Sequence, residues 1–271
     1  MQHNYASPSA PLVVKYGGNA LPPDGEPDPL LAEIVRRRRA GEAIVLVHGG
    51  GPEIDRRLAE RAIPTRRVDG LRVTDAETLA ITEAALCGTI NKRLVRACSA
   101  LGARAVGISG EDARTLVARR ALGGDGQDLG YVGEVTYADP HLVLALLDAG
   151  FLPIVAPLAI ADDAAHAYNV NADLAAAALA GALRARAFVI VTNVPRVLAD
   201  RNDPSSGIEH LTVDAARAFA ASDACASGMQ PKMNAAIAAV AAGCTAAYIC
   251  AANETTIRSA LTEGNATHVS P

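Results

Sequence analysis

Ile44-Val45-Leu46-Val47-His48-Gly49-Gly50-Gly51-Pro52 reads as an apolar strand that breaks into three glycines and enters a helix on a proline. A run that is apolar at successive positions suits a strand buried on both faces. Such strands belong to parallel sheets sandwiched between helices. Proline is favoured at the first helical position, and a helix N-terminus offers free amides and partial positive charge. Glycine lets an oxyanion approach that backbone closely. The plain alternative is an ordinary tight strand–helix turn. The segment is neither G-x-G-x-x-G nor a glycine loop closing on Gly-Lys-Ser/Thr, so the dinucleotide and P-loop readings lose ground.

The same grammar repeats outward from this stretch. Apolar runs predict strands over 12–15, 44–47, 103–108, 152–156, 188–192 and 246–250. Alanine-rich stretches predict helices over 30–39, 53–61, 76–86, 90–101, 141–148, 173–183, 213–219 and 233–242. Gly41, Gly102, Gly150 and Gly243 fall where helices should stop. Strand–helix alternation predicts an α/β fold, an open three-layer αβα sandwich around a mostly parallel central sheet. Gly123-Gly124-Asp125-Gly126 and residues 202–207 read as exposed turns. In such a sheet, ligands bind beyond the carboxyl ends of the strands. Gly17-Gly18, Gly49-Gly50-Gly51, Ser109-Gly110 and Thr192-Asn193 all follow predicted strands and converge on that edge.

The 271 residues, half of them hydrophobic, suffice for one large domain or two lobes around a cleft. Aromatics are 3% and Trp is absent, so the core must be built from Ala, Val, Leu and Ile. A net charge of −4 argues against bulk nucleic-acid binding. Five cysteines without a C-x-x-C pair fit a reducing, cytoplasmic setting better than a disulfide framework. Residues 1–11 lack an apolar signal core. The uncharged stretch 234–253 reads as helix, glycine stop and buried strand rather than a membrane span.

Several residues carry chemistry. Lys15 ends an apolar strand directly before Gly17-Gly18, and lysine is rarely buried without a partner. Gly228-Met229-Gln230-Pro231-Lys232 brings a second lysine to the start of a helix. Asn169-Val170-Asn171-Ala172-Asp173 precedes an apolar helix. Asp173 by itself reads best as an N-cap, yet the run holds more polar groups than one cap needs. Arg72, between apolar neighbours, is a candidate fork for a carboxylate or else a surface arginine. Arg36-Arg37-Arg38-Arg39 reads as a solvated helix end that suits the helix dipole. His48 reads as a hydrogen-bonded structural residue rather than a base.

Taken together these segments resemble the amino acid kinase family. The resemblance rests on Lys15-Tyr16-Gly17-Gly18-Asn19-Ala20, His48-Gly49-Gly50-Gly51-Pro52, Asp69-Gly70-Leu71-Arg72-Val73-Thr74-Asp75 and Asn91-Lys92. It continues through Gly130-Tyr131-Val132-Gly133-Glu134-Val135, residues 169–173 and 228–232, in family order. Within the family the chain is similar to the branch that phosphorylates N-acetyl-L-glutamate. The resemblance implies an N-terminal lobe, 1–184, for that substrate and for dimerisation, and a C-terminal lobe, 185–271, for ATP with Mg2+. It implies that Lys15 and Lys232 stabilise the moving phosphoryl group while Asp173 organises them. Gly50 and Gly51 would cradle substrate and phosphoryl, and Arg72 and Asn169 would hold the substrate's carboxylate. Gly17, Gly18, Thr192 and Asn193 are assigned to the nucleotide, and no side chain to a metal.

Two departures stand out. Arg196 occupies a position where the family usually has glycine, and Cys250-Ala251-Ala252-Asn253 replaces an Asp-Gly-Arg-like ending. Arginine-inhibited relatives join dimers into hexamers through an N-terminal helix, and Pro8 and Pro11 make residues 1–11 a poor helix, so the resemblance implies a homodimer insensitive to arginine. Alternative functions are a kinase for carrier-protein-linked 2-aminoadipate or glutamate, and a non-catalytic regulatory relative.

Overall fold

The computed structural model describes residues 10–22, 25–225, 228–252 and 255–271. Pro8, with the rest of residues 1–9, and Asn253 lie outside the described residues, whereas Pro11 lies within them. In chain order the strands begin with β1 (Leu12–Tyr16), β2 (Ile44–His48), β3 (Arg67–Val68), β4 (Leu71–Arg72) and β5 (Ala105–Ser109). Next come β6 (Leu116–Leu122), β7 (Asp128–Ala138), β8 (Leu152–Ala156), β9 (Leu158–Ala161) and β10 (Ala167–Val170). The last are β11 (Ala187–Thr192), β12 (His210–Thr212), β13 (Ala247–Ala251) and β14 (Thr267–Ser270). The helices are α1 (Pro29–Arg39), α2 (Gly51–Glu60), α3 (Ala76–Glu83), α4 (Asn91–Ala100) and α5 (His141–Asp148). They continue as α6 (Ala172–Ala182), α7 (Val213–Ala220), α8 (Gln230–Ala241) and α9 (Thr256–Thr262).

The main sheet runs β12-β14-β13-β11-β1-β2-β8-β5, and only β13 and β14 pair antiparallel. β2, β8 and β11, apolar but for the terminal His48 and Thr192, are buried at every position, as two-sided burial requires. Successive side chains of a strand face opposite ways, and the core divides accordingly. Leu12, Val14 and Leu46 pack with α1 and α4, whereas Val13, Val45 and Val47 pack with α6 and α8. The mostly parallel sheet between two helix layers is the α/β sandwich expected.

The predicted main-sheet strands lie within two residues of those observed, and helix ends within three. Gly41, Gly102, Gly150 and Gly243 all take positive φ at helix ends. Several features were not expected, among them the strands β12 and β14 and the helix α9. The helical stretch after residue 76 does not break at Cys87-Gly88 but runs through a π-helical segment, Ala84–Ile90, into α4. A second, closed sheet, β10-β7-β6-β9, packs on α6 through Leu116, Tyr168 and Ala175. Its strands hide in the sequence because Arg119, Arg120 and Glu134 face solvent and interrupt the apolar pattern. The solvated reading of the arginine run holds for Arg36 and Arg39, which are exposed in the last turn of α1, but not for the two between them. Arg37 pairs with Glu33 and Glu42, and Arg38 donates to the Phe151 and Leu147 carbonyls.

Candidate active site

β1 lies at the centre of the sheet, with Lys15 in register with Val47 on one side and Ile190 on the other. This disposes of an edge-strand lysine facing solvent, for Lys15 is only 5% exposed. Its Nζ stands 2.7 Å from Oδ1 of Asp173. Lys232 Nζ lies 3.8 Å from the other carboxylate oxygen and donates to the Gly228 carbonyl at 3.3 Å. A buried ion pair is a poor stability device, because desolvation offsets its attraction. Placed at the carboxyl ends of central strands, it is instead the mark of a functional site.

Asp173 is not the cap of its helix. Asn171 is, accepting hydrogen bonds from the amides of Asp173 at 2.8 Å and Leu174 at 3.3 Å. With capping assigned to Asn171, the Asp173 carboxylate faces the lysines. Lys232 occupies the first turn of α8, an end where the helix dipole disfavours a cation. Asp173 offsets that penalty.

The glycine turns interleave. The Gly49 amide donates to the Tyr16 carbonyl at 2.9 Å and the Gly17 amide to the Val191 carbonyl at 3.3 Å. A Cβ on Gly18 would stand 2.8 Å from the Gly50 nitrogen, so only glycine permits this approach. Gly50 meets side chains instead: a Cβ there would press on the terminal methyls of Ile90 and Leu86 in the π-helical segment, which would have to shift. Gly51 begins α2, so Pro52 is the second helical residue and not the first. A Cβ on Gly51 would meet nothing within 4 Å, which leaves the helix N-terminus open to the cleft.

Arg72 is 6% exposed and paired, not a surface arginine. Its Nη1 donates to Asp55 Oδ1 and, at 3.3 Å, to Thr65; its Nη2 reaches the Gly51 carbonyl at 3.4 Å. Burial works to raise the Asp55 carboxyl, but Arg72 and Arg67 outweigh it and hold the group below its ordinary range. Asn169 donates to Thr74, whose hydroxyl donates to the Arg72 carbonyl at 2.7 Å. His48 is fully buried, and burial drives its pKa down to about 4. Its Nδ1 donates to the Gly49 carbonyl at 3.0 Å, and Asn91 contacts Nε2 at 3.3 Å. The neutral ring supports the turn.

One cleft of about 740 Å³ gathers these groups. Lys15, Asp173 and Lys232 line it, as do Gly17, Gly18, Gly50 and Gly51. Arg72, Asn169, Thr192 and Asn193 line it too. Arg196 turns elsewhere: it pairs with Glu209 at 3.1 Å and donates to the Gly264 carbonyl at 2.6 Å, and its φ is not positive. Sequence reasoning missed Asp55 and Arg67, which also line the cleft. Asp55 was reachable, since it lies four residues after Gly51 and thus on the same helix face.

An α/β sandwich with two cations and open glycine amides at the ends of its central strands defines a protein built to handle a phosphoryl-like anion. The chain belongs to the amino acid kinase family, whose sequence profile matches residues 10–251. It is 41% identical over 238 residues to the chloroplastic acetylglutamate kinase of Arabidopsis thaliana, a match spanning 88% of this chain and 68% of that one. It is 42% identical over 240 residues to the acetylglutamate kinase of Methanopyrus kandleri, spanning 88% and 93%. The carbamate kinase of Giardia lamblia bound to AMP-PNP shares the fold at a TM-score of 0.70 and 18% identity, over 98% and 99% of the chains.

Proposed function

We propose that this chain transfers the γ-phosphoryl group of ATP to the side-chain carboxylate of N-acetyl-L-glutamate in arginine biosynthesis. The product is N-acetyl-L-glutamyl 5-phosphate. A carboxylate oxygen forms the new bond to phosphorus as the bond to the bridging oxygen of ADP breaks. The nucleophile is already an anion, so catalysis needs positioning and charge neutralisation more than a base. The observation that carries this reading is Asp173 held between Lys15 and Lys232 at 2.7 and 3.8 Å. Two cations around one carboxylate leave a positive balance for the charge that spreads over the transferring group.

Arg72 and Asn169 hold the substrate's α-carboxylate, and Gly50 and Gly51 cradle the reacting end. Gly17, Gly18, Thr192 and Asn193 hold the nucleotide. The close approach at Gly18, where a Cβ would collide with the Gly50 backbone, holds the two glycine turns together beside the cleft. Among the described residues no three His, Cys, Asp or Glu side chains are grouped to hold a metal. Mg2+ would reach the site on the phosphates of ATP, where it would supply further charge neutralisation. Residues 1–184 form the substrate lobe and 185–271 the ATP lobe, in a cytoplasmic homodimer. No helix among the described residues is long and apolar enough to cross a membrane.

The test is an assay of the purified chain with ATP, Mg2+ and N-acetyl-L-glutamate, trapping the acyl phosphate with hydroxylamine. Hydroxamate formation with this substrate is expected. Turnover only with a carrier-protein-linked acid, or none with any carboxylic acid, would overturn the reading.

A further inference from the structure

We propose that Asp55 is the positioning residue for Arg72: it fixes one side of the guanidinium fork so that the rest is presented to the substrate's carboxylate. The inference rests on the reading of Arg72 given above. An arginine has many rotamers, and bidentate recognition tolerates little misorientation. Asp55 removes that freedom. Its Oδ1 accepts from Arg72 Nη1 and from the Thr65 hydroxyl at 3.1 Å, and its Oδ2 accepts from Arg67 Nη2 at 3.0 Å. Nη2 of Arg72 reaches only a carbonyl at 3.4 Å, a contact weak enough to give way to a carboxylate.

The position of Asp55 adds a second consequence. It stands one turn along α2 from Gly51, and both residues line the cleft. One short, rigid helix thus carries both the open amides and the anchor of the arginine. The spacing between the two carboxylates of the substrate is set by that helix and not by a mobile side chain.

The experiment is a double-mutant cycle on the full chain, with KM and kcat for N-acetyl-L-glutamate and KM for ATP measured for each variant. Asp55→Asn keeps the size of the side chain. It is expected to raise KM for N-acetyl-L-glutamate about tenfold, the scale of one lost charge-assisted hydrogen bond, while KM for ATP stays within about twofold. In the Arg72→Ala background the same change is expected to be nearly silent, since a group that acts through Arg72 has nothing left to act on. Asp55→Glu, which keeps the charge but displaces it by one methylene, should give a smaller rise and a fold confirmed by thermal unfolding. Full additivity with Arg72→Ala would overturn the proposal. So would an effect that disappears in the Arg67→Ala background instead, because Asp55 would then serve Arg67. A wild-type chain that fails to phosphorylate N-acetyl-L-glutamate would overturn the functional reading first, and this inference with it, before any variant is compared.

Discussion

Asp173 keeps two ammonium groups close together that would otherwise repel, and both line the same cleft. Because Lys15 is nearly sealed from water, its charge is little screened. Lys15→Ala and Lys232→Ala are each expected to lower turnover by about a hundredfold or more, the scale for one preorganised donor. Circular dichroism should show the fold retained, and near-normal turnover in either variant would refute the assignment. Arg72→Ala should act differently. On the proposed assignment it removes a ground-state contact to one substrate, so KM for N-acetyl-L-glutamate is expected to rise far more than KM for ATP. A rise confined to ATP would place Arg72 in the nucleotide site. The lysines were legible in the sequence because glycine turns marked both. The capping role of Asn171 was not, because Asn171 and Asp173 are both good caps until the first helical residue is fixed.

The junction of β2 and α2 shows how an element serves the cleft. His48 ends the strand as a neutral, buried ring whose pKa falls from 6.5 to about 4. Between those values the unfolded chain binds the proton and the folded one does not. Stability is therefore full above about pH 6.5 and is lost as pH falls toward 4. The loss attributable to this ring is roughly 3 kcal/mol at most. Thermal unfolding from pH 7 to 4.5 should show a steeper decline for the wild type than for His48→Gln, and equal slopes would dismiss the idea. Gly51→Ala probes the next residues. A methyl there meets no protein atom within 4 Å, so stability should stay within about 0.5 kcal/mol while activity drops sharply. Full activity would show that no ligand approaches that amide. Gly50→Ala, by contrast, should be destabilised by the clash with Ile90 and Leu86. The glycines were visible as one run, but their separate reasons come from the π-helical segment packed beneath them, which no local pattern announced.

At the scale of the whole molecule the sheet passes without a break from β5 to β12, so the proposed lobes share one scaffold. β5 lies at its edge, with Ala105, Val106 and Ile108 half-buried in the single chain. Apolar edges of this kind are normally covered, and pairing of the substrate lobes in a two-fold dimer would cover this one. Light scattering is expected to give about twice the 27.8 kDa of one chain. A monomeric mass at micromolar concentration would rule the dimer out. By itself the sequence determined the central strands, the helices between them and the motif residues that line the cleft, because two-sided burial, helix stops and glycine turns are written in local pattern. Only the tertiary structure decided that Lys15, Asp173 and Lys232 meet, that Asp55 grips Arg72 and that β6, β7, β9 and β10 close into a second sheet. Those outcomes depend on register and packing between segments tens to hundreds of residues apart, and the energies that select them are absent from any one segment.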